Sequence, residues 1–384
     1  MANDLSEAVR TILQILREKK NVLISGPPGT GKSKLLSELK LAFEQVPLTT
    51  GPGAAPVHDP GAKIPIPAIP SAPPPNEAQS AFPSPDRRER KVFPTAFHQG
   101  TKYRDFVTGI TPVVQTAEKP NATGFRVFSG TLYEAAEFAK KADGAALIII
   151  DEINRGPAIQ IFGGSIVAIE ADKRLAPDGS KRNETQFFEI LDPETGNSIS
   201  YALPHDLYIV AAMNQADASV EPLDVAFLRR FVPYSLEPNP AVLREYYKRP
   251  AAPTPTPDAP ANEGDVFEAA IQAWEAVNGR IRLGRGAEFQ IGHGILMNGG
   301  EAIAVGVDAA LFSVTQSWKA IRAHVDEVFF GDIAAIATVL NVGSRPHIYS
   351  LNETIFANEP KVELVGPVTV SPTEIYGLLR AVAR

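Results

Sequence analysis

The chain has 384 residues, more than a single hydrophobic core normally organises, so we expect more than one domain. Hydrophobic residues make up 44% and charged residues 21% of the sequence, values typical of folded globular proteins, and disorder along the whole chain is therefore excluded. Lys and Arg number 37 against 44 Asp and Glu. The resulting net charge of −7 argues against a chain-wide basic surface of the kind that binds nucleic acids or anionic membranes.

Missing residue types and short apolar runs exclude several kinds of site. The sequence has no Cys, which excludes disulfides, thiolate metal sites and Cys nucleophiles. No two of the six His are three or four residues apart, so a helical zinc motif is absent. The longest apolar run, Leu207 to Met213, is far shorter than the roughly 18 residues of a membrane-spanning helix. The first twenty residues carry acids and do not resemble a signal peptide, so we expect a cytoplasmic protein without a membrane partner.

Two proline-rich tracts divide the chain. Residues 47–85 hold twelve of the 34 prolines and few large apolar residues, which predicts a flexible insertion over 47–90. A second tract at 249–262 predicts a linker. The expected domains are therefore a core over 1–248 and a C-terminal domain over 263–384.

Five apolar patterns predict the core of the larger domain. A helical face from Leu5 to Leu16 precedes a short buried strand at 22–24, and a second helical face follows from Leu35 to Val46. Apolar runs at 145–150 and 207–213 predict two more buried strands. Buried strands separated by helices are typical of a parallel sheet covered on both faces, so the predicted fold class is α/β.

The C-terminal domain is predicted to be mainly helical. Apolar periodicity marks helices at 266–277, 302–323 and 333–340. Ser371 and Glu374 form a capping-box pattern around Pro372, which predicts the start of a last helix.

The segment after the first strand fits the phosphate-loop pattern G-x-x-x-x-G-K-[ST] at every fixed position. It consists of Gly26, Pro27, Pro28, Gly29, Thr30, Gly31, Lys32 and Ser33. A strand enters this loop and a helix leaves it, so backbone N–H groups and the positive end of the helix would surround an anion. Lys32 is expected to reach the β- and γ-phosphates of a nucleotide, and Ser33 to bind Mg²⁺.

Two adjacent acids, Asp151 and Glu152, end the second buried strand. We expect Asp151 to hold Mg²⁺ and Glu152 to orient and deprotonate a water molecule, an arrangement that favours hydrolysis over transfer to a second substrate. The alternative is an acidic pair that caps the following helix.

Asn214 follows the third buried strand and is a candidate to hold the attacking water beside the γ-phosphate. The run Asn214-Gln215-Ala216-Asp217 also resembles a degenerate guanine-reading N-K-x-D motif. Against that alternative, guanine-specific switch proteins have a D-x-x-G motif at their magnesium-binding Asp. Here the run is Asp151-Glu152-Ile153-Asn154, which lacks the glycine.

Arg229 and Arg230 end a predicted short helix. A guanidinium fits the charge and shape of a transferring phosphoryl group, and one supplied by a neighbouring subunit would be an arginine finger. The alternative is an ordinary surface ion pair.

Together these blocks resemble AAA+ ATPases, and within them the McrB-like branch, named for the NTP-hydrolysing subunit of modified-cytosine restriction systems. The matching segments are GPPGTGKS (26–33), FHQGTKYRDFVTGITP (97–112), LIIIDEINRG (147–156), LYIVAAMNQADASVEPLD (207–224), LRRF (228–231) and FQIGHGIL (289–296). The resemblance implies a P-loop NTPase core with a C-terminal helical lid. The sequence departs from the family where Ala218 replaces an arginine and where Leu228 shortens a run of three arginines.

By this resemblance, Asp151 and Glu152 form the Walker B pair and Asn214 is sensor 1. Arg230 is the main candidate for the finger that acts in trans, with Arg229 supporting it. The family forms rings, commonly hexamers, so we expect a ring oligomer that binds ATP, or GTP, with Mg²⁺. ATP is favoured because the departures at Ala218 and Leu228 weaken the inference that this chain shares the GTP preference of the family's founding member.

The expected function is an NTPase that works on a partner, with a nuclease-type effector in restriction or antiviral defence favoured. The alternatives are a MoxR-like remodelling ATPase, a GTP-specific McrB-type enzyme and a non-catalytic, nucleotide-dependent scaffold. Few residues precede the phosphate loop, so recognition is expected to come from a partner, a ring pore or the insertions. A basic run containing Arg87, Arg90 and Lys91 suggests a weaker hypothesis of direct contact with nucleic acid.

Overall fold

The computed structural model describes residues 5–44, 82–113, 124–216, 223–297, 303–344, 346–367 and 369–384. Within these ranges the chain divides into two compact units. The first comprises Met1–Ile24, Ser33–Met213 and Ser219–Tyr234, and the second comprises Ser25–Lys32, Asn214–Ala218 and Ser235–Arg384.

A five-stranded sheet forms the centre of the first unit, with the strand order β2-β5-β8-β1-β9. The strands of this unit are β1 (Asn21–Ser25), β2 (Glu89–Ala96), β3 (Thr108–Pro112), β4 (Phe125–Ser129), β5 (Gly144–Asp151), β6 (Phe188–Leu191), β7 (Ser198–Tyr201), β8 (Leu207–Met213) and β9 (Val232–Ser235). β5 pairs in parallel with both β2 and β8, in a register that aligns Ile150 with Ala211. Every residue of β1 is buried, as are all residues of β5 and β8 except the last one. The predicted α/β class with a parallel sheet is confirmed.

Helices surround this sheet. They are α1 (Glu7–Lys19), α2 (Lys32–Glu44), α3 (Tyr103–Phe106), α4 (Thr131–Ala139), α5 (Ala158–Phe162), α6 (Ser165–Ala168) and α7 (Val225–Leu228). The predicted apolar face of α1 is buried, and Ser6 caps the helix by accepting a hydrogen bond from the backbone of Val9. The short helices α5 and α6 stand where the sequence predicted one longer helix. Gly163, with φ of 49°, separates them in a conformation that ends a helix.

Residues 82–90, which the sequence prediction assigned to the flexible insertion, are folded. Phe82 and Ser84 are buried, and β2 begins at Glu89. The rest of the predicted insertion, residues 47–81, lies outside the described residues. The proposed boundaries of the core, linker and C-terminal domain stay predictions.

Part of the basic run makes contacts within the fold. A nitrogen of the Arg87 guanidinium lies 2.8 Å from an Asp206 carboxylate oxygen. Arg90 donates from Nε to the backbone oxygen of Phe43 at 2.7 Å, and the Lys91 ammonium lies 4.7 Å from the centre of the Phe93 ring. Arg88, Lys91, Lys102 and Arg104 of the same run are exposed, and direct contact with nucleic acid stays a prediction.

The second unit is mainly helical in its C-terminal part. Its helices are α8 (Pro240–Tyr246), α9 (Glu263–Gly284), α10 (Val307–Val328), α11 (Ile333–Val339) and α12 (Pro372–Ala383), and its hairpin consists of β10 (Ser350–Phe356) and β11 (Glu359–Val365). The core contains Trp274 and Trp318, as expected for aromatic residues on helical faces. The capping box of α12 forms as predicted, with both Ser371 and Glu374 engaged.

The second proline-rich tract lies against helices of the second unit. The Tyr376 hydroxyl donates to the backbone oxygen of Pro257 at 2.9 Å, and Gln272 donates to that of Thr254 at 2.7 Å. Arg380 and Asp258 form an ion pair at 2.8 Å. Among the described residues, no helix combines the length and the apolar character needed to cross a membrane.

Lys20 is buried at the turn that leads from α1 into β1. Its ammonium donates to the Tyr208 hydroxyl at 3.3 Å, and only 4% of the residue is exposed. Burial lowers the pKa of Lys20 to about 7, and the nearby charge of Arg174 acts in the same direction. The folded protein therefore releases this proton at a much lower pH than the unfolded chain, whose lysine keeps its ordinary pKa of 10.5.

Replacing the buried ammonium should change how stability depends on pH. Between about pH 7 and pH 10 the unfolded chain binds more protons at Lys20, so this residue makes the free energy of unfolding rise with pH. In the variant Lys20→Met that contribution is lost. The free energy of unfolding of the variant minus that of the wild type should be about 2–4 kcal/mol larger at pH 6 than at pH 10. Chemical denaturation at both values measures it, with the exposed Lys19→Met as control. A difference that does not vary with pH would contradict the assignment.

Candidate functional site

The phosphate loop connects β1 with α2 and depends on glycines in positive-φ conformations. Gly29 has φ of 79° and Gly31 has φ of 89°, values that residues with a Cβ rarely adopt. A Cβ on Gly26 would lie 2.4 Å from the backbone oxygen of Leu236, closer than atoms can approach. The fixed glycines of the pattern are thus required by the backbone itself.

The Lys32 ammonium lies inside this loop. It donates to the backbone oxygen of Gly26 at 2.6 Å and to that of Pro27 at 3.0 Å. The buried hydroxyl of Thr30 also donates to Pro27, at 2.8 Å. The positive charge is therefore held at the place where the loop backbone turns, which suits the binding of a polyanion.

A second segment of the same unit packs on the loop backbone. Gly292 and Gly294 donate their N–H groups to the backbone oxygens of Pro28 and Gly29, at 3.1 and 2.9 Å. His293 is buried between them, and its Nε2 lies 4.0 Å from the position that a Cβ on Gly31 would take. The structure thus places His293 beside the phosphate loop.

The two acids stand at the end of β5 in the first unit. Asp151 is partly buried and accepts the N–H of Glu152 at 3.0 Å. Glu152 has φ of 51° and ψ of 47°, a left-handed conformation that costs energy in a residue with a side chain. Its carboxylate lies 3.2 Å from the Arg155 guanidinium. Such strain is concentrated at functional sites, where it aims a side chain that regular strand geometry would turn away.

The residues expected to bind Mg²⁺ provide suitable atoms. Ser33 is an exposed hydroxyl in the first turn of α2, and Asp151 is a carboxylate at the edge of the sheet. Oxygen ligands of this kind, completed by phosphate oxygens and water, are what Mg²⁺ prefers. Within the described ranges, no cluster of three His, Asp or Glu side chains could hold a metal ion. The chemistry of the donors therefore fits a magnesium ion that binds together with a nucleotide.

Asn214 directly follows β8 and is half-buried. It belongs to the same unit as the phosphate loop. Asp217, which the guanine-reading alternative requires, lies outside the described residues, as does Ala218.

The two arginines differ in their surroundings. Arg229 is exposed, whereas only 7% of the Arg230 side chain is accessible and its Nε lies 3.0 Å from a Glu170 oxygen. Arg230 also donates from Nη1 to the backbone oxygen of Ala226. The residue that the sequence favoured as the finger is thus held by its own subunit, and Arg229 is the freer of the two.

Sequence reasoning missed several residues that shape these segments. Gly292 and Gly294 contact the phosphate loop, and Glu170 holds Arg230. The Q-I-G-H block gave a signal for the glycines. Glu170 gave no signal in the sequence, because its partner Arg230 is distant along the chain and only the fold brings the two together.

Adding a methyl group at Gly292 should disturb the phosphate loop. A Cβ there would lie 2.1 Å from the carbonyl carbon of Gly29 and 2.3 Å from the oxygen of Pro28, both of them backbone atoms. Gly292→Ala should therefore lower the free energy of unfolding by about 1–3 kcal/mol. Gly279→Ala is the matched control, because the added methyl meets no atom within 4 Å in the same unit. It lies inside α9 and should raise stability by about 0.5–1 kcal/mol. Equal melting temperatures for the two variants would contradict the close contact.

Comparison with known proteins gives a domain match and two related proteins. Residues 82–231 match the AAA domain of the dynein-related subfamily. The chain is 28% identical to the "Type IV methyl-directed restriction enzyme EcoKMcrB subunit" of Escherichia coli K12 over 237 residues, which cover 60% of this chain and 38% of that protein. It is 27% identical to the "Type II restriction enzyme BsuMI component YdiS" of Bacillus subtilis 168 over 226 residues, or 55% of each chain.

The likeness to both relatives is partial, since the chain spans between 38% and 55% of their lengths. A crystal structure of NtrX from Brucella abortus in complex with ATP overlaps 88% of this chain and 65% of that one, at 14% identity and a TM-score of 0.29, too low to define a shared fold. The family match, the complete phosphate loop and the Asp-Glu pair agree with each other. Residues 82–231 therefore match an AAA domain of the dynein-related subfamily, and the chain is similar to McrB-like AAA+ ATPases.

Proposed function

We propose that this protein is a Mg²⁺-dependent NTPase that assembles into a ring, with a hexamer favoured, and uses hydrolysis to drive a nuclease-type effector. The observation that carries the proposal is the phosphate loop, in which glycine conformations and the Lys32 ammonium create a cradle for phosphate oxygens. The strained Glu152 at the end of a buried strand adds a group suited to hydrolysis. A nucleotide-dependent scaffold would also need the phosphate loop but would not need Glu152, so Glu152 is the feature that favours an enzyme.

Lys32 binds the phosphates by exchanging partners. Its ammonium now satisfies the oxygens of Gly26 and Pro27, and a bound nucleotide would offer charged oxygens in their place. The bonds of the ammonium to carbonyl oxygens lack the attraction between opposite full charges that phosphate oxygens add, so this exchange favours the nucleotide. The buried Thr30 hydroxyl keeps its bond to Pro27 and maintains the loop through the exchange.

Glu152 acts on the attacking water. Its carboxylate accepts the proton of the water, while the backbone strain at this residue fixes the direction of the side chain. Arg155 lies 3.2 Å away and orients the carboxylate before the reaction. Asn214 is proposed to hold the same water by its amide.

Ser33 and Asp151 are proposed to hold Mg²⁺. The ion supplies charge neutralisation for the phosphate oxygens. An arginine of a second copy, from the pair Arg229 and Arg230, is proposed to stabilise the charge on the transferring phosphoryl group.

ATP is the proposed nucleotide. The guanine-specific alternative depends on an N-K-x-D pattern that this chain matches only in part, because Gln215 stands in place of the lysine. A protein distinguishes guanine from adenine by polar groups that hydrogen-bond to the edge of the base. The sequence shows no complete set of such groups for guanine.

Glu152→Gln should separate binding from hydrolysis. The amide keeps the size of the side chain but cannot accept the proton, so turnover should fall by about 10²–10⁴-fold while nucleotide affinity stays within about threefold. Turnover and binding are measured with ATP and with GTP, each with Mg²⁺. Glu194→Gln, at an exposed hairpin position, is the matched control and should leave turnover unchanged.

Two results would contradict the proposal. Undiminished hydrolysis by Glu152→Gln would remove Glu152 from the reaction and favour a scaffold. Turnover of GTP well above that of ATP would reverse the choice of nucleotide.

The effector is proposed from the names of the relatives, one called a subunit and the other a component of a restriction enzyme. The Glu152→Gln variant should bind nucleotide without hydrolysing it and so retain its partner, which mass spectrometry of the purified complex identifies. A nuclease among the retained proteins supports the proposal. Retention of a metal-dependent or adhesion-domain client would favour a MoxR-like remodelling function.

A further inference from the structure

The segment that carries the two arginines is anchored to its own subunit at Arg230. We call Arg229 and Arg230, between α7 and β9, the arginine turn. The Arg230 side chain is nearly buried and pairs with Glu170, and its Nη1 bonds to the preceding helix. Arg229 is exposed and forms no ion pair with any described residue. The turn thus presents one guanidinium and retains the other.

The backbone of the arginine turn is held by the side chain of Asn21. This residue opens β1 and is 1% exposed. Its Nδ2 donates to the backbone oxygen of Arg230 at 3.0 Å and to that of Ile169 at 2.8 Å. One amide group therefore joins the arginine turn to the residue next to Glu170.

Arg174 fixes the orientation of that amide. It is completely buried, and its Nη2 donates to Oδ1 of Asn21 at 2.7 Å. Nε and Nη2 also donate to the backbone oxygen of Ile169, at 3.0 and 2.7 Å. Because arginine can only donate, the oxygen of Asn21 must face it and the amide nitrogen must face the two carbonyls. We call Asn21 and Arg174 the clip.

The clip joins two parts of the proposed mechanism. β1 begins at Asn21 and ends at Ser25, and the phosphate loop follows at Gly26. The same short, fully buried strand therefore leads into the loop of its own subunit and holds the turn that exposes Arg229. A buried strand transmits position because its packing leaves no room for independent adjustment.

We infer that Asn21 is a positioning residue, through which β1 sets the arginine turn so that Arg229 reaches the nucleotide bound by a second copy of this chain. Arg230 is retained by Glu170 and supports the turn. The inference rests on the proposed function, and it exchanges the roles that the sequence suggested for the two arginines. Hydrolysis in the neighbouring copy would thus depend on Asn21, a residue outside the nucleotide motifs.

A purely structural role for Asn21 makes a different prediction. If the clip only stabilised the sheet, its loss would harm the subunit's own phosphate loop at least as much as its action on a neighbour, because β1 leads into that loop. If the clip positions the arginine turn, the damage appears in the neighbour. The two cases are separated by placing the substitution in one copy at a time.

The experiment mixes two defective copies. A donor copy carries Lys32→Ala, which removes its own site and leaves the arginine turn, and an acceptor copy carries Arg229→Ala, which keeps the site and lacks the guanidinium. Each should be inactive alone, and mixed assemblies should regain ATP hydrolysis about tenfold or more above either one. Asn21→Ala is then added to the donor or to the acceptor.

The expected result is a loss confined to the donor. Asn21→Ala in the donor should lower the regained hydrolysis by about tenfold, since small misplacements of an oriented group are costly. In the acceptor it should change hydrolysis and nucleotide affinity by less than about twofold. Thr108→Ala is the matched control, a buried residue of the same unit whose hydroxyl bonds to Leu191 instead. It should show no preference for the donor.

The outcomes separate this inference from the proposed function. No regained hydrolysis in the starting mixture, with assembly confirmed by sedimentation, would overturn the proposed action in trans and this inference with it. Regained hydrolysis that Asn21→Ala lowers equally from either copy would overturn the inference alone. Arg230→Ala should retain more hydrolysis than Arg229→Ala, and the reverse order at equal stability would also overturn it.

A second variant covers a failure of Asn21→Ala to fold. Glu170 is about one-third exposed, so Glu170→Gln should fold, and it removes the charge that retains Arg230. It should give the same donor-confined loss at a smaller size, about threefold. An effect equal in both copies would overturn the inference.

Discussion

The burial of the central parallel strands is the constraint on which the rest of the molecule depends. β1, β5 and β8 are buried almost throughout, so their side chains are mostly apolar and most of their polar residues stand at a strand end, as Asn21 and Ser25 do in β1. Parallel strands end at the same edge, and the polar residues that follow β5 and β8 are Asp151, Glu152 and Asn214. The hydrophobic effect that assembles the sheet therefore also decides where its chemistry can be.

This constraint explains which features the sequence could predict. The apolar runs 145–150 and 207–213 cannot be surface segments, and the observed β5 and β8 differ from them by at most one residue at each end. The phosphate loop was predictable because its fixed glycines answer a demand of the backbone, seen in the positive φ of Gly31 and in the lack of room for a Cβ at Gly26. Hairpins such as β3–β4 were missed, since their stability comes from pairing between strands and their exposed faces carry no clear alternation.

The roles of the arginines could not be predicted for a different reason. Arg229 and Arg230 are identical in type and adjacent, and only the position of Glu170 and of the backbone oxygen of Ala226 distinguishes them. Both partners are properties of the folded chain. In the same way, Asn21 reads as an ordinary strand residue until the fold brings Ile169, Arg174 and Arg230 around it.

The clip also accounts for a costly feature of the core. Arg174 is fully buried, which lowers its pKa to about 10 but leaves the side chain charged near neutral pH. A buried cation is generally less favourable than an apolar side chain of similar size, so stability alone gives little reason for it. The backbone oxygens of Ile169 and Leu207 nevertheless need donors at this depth, and the rigid fork of Arg174 reaches both of them and Asn21 together. The guanidinium of Arg174 can donate to several groups in fixed directions, which an apolar side chain cannot do. These hydrogen bonds fix the start of β1, the strand that leads to the phosphate loop, and through Asn21 the turn that exposes Arg229.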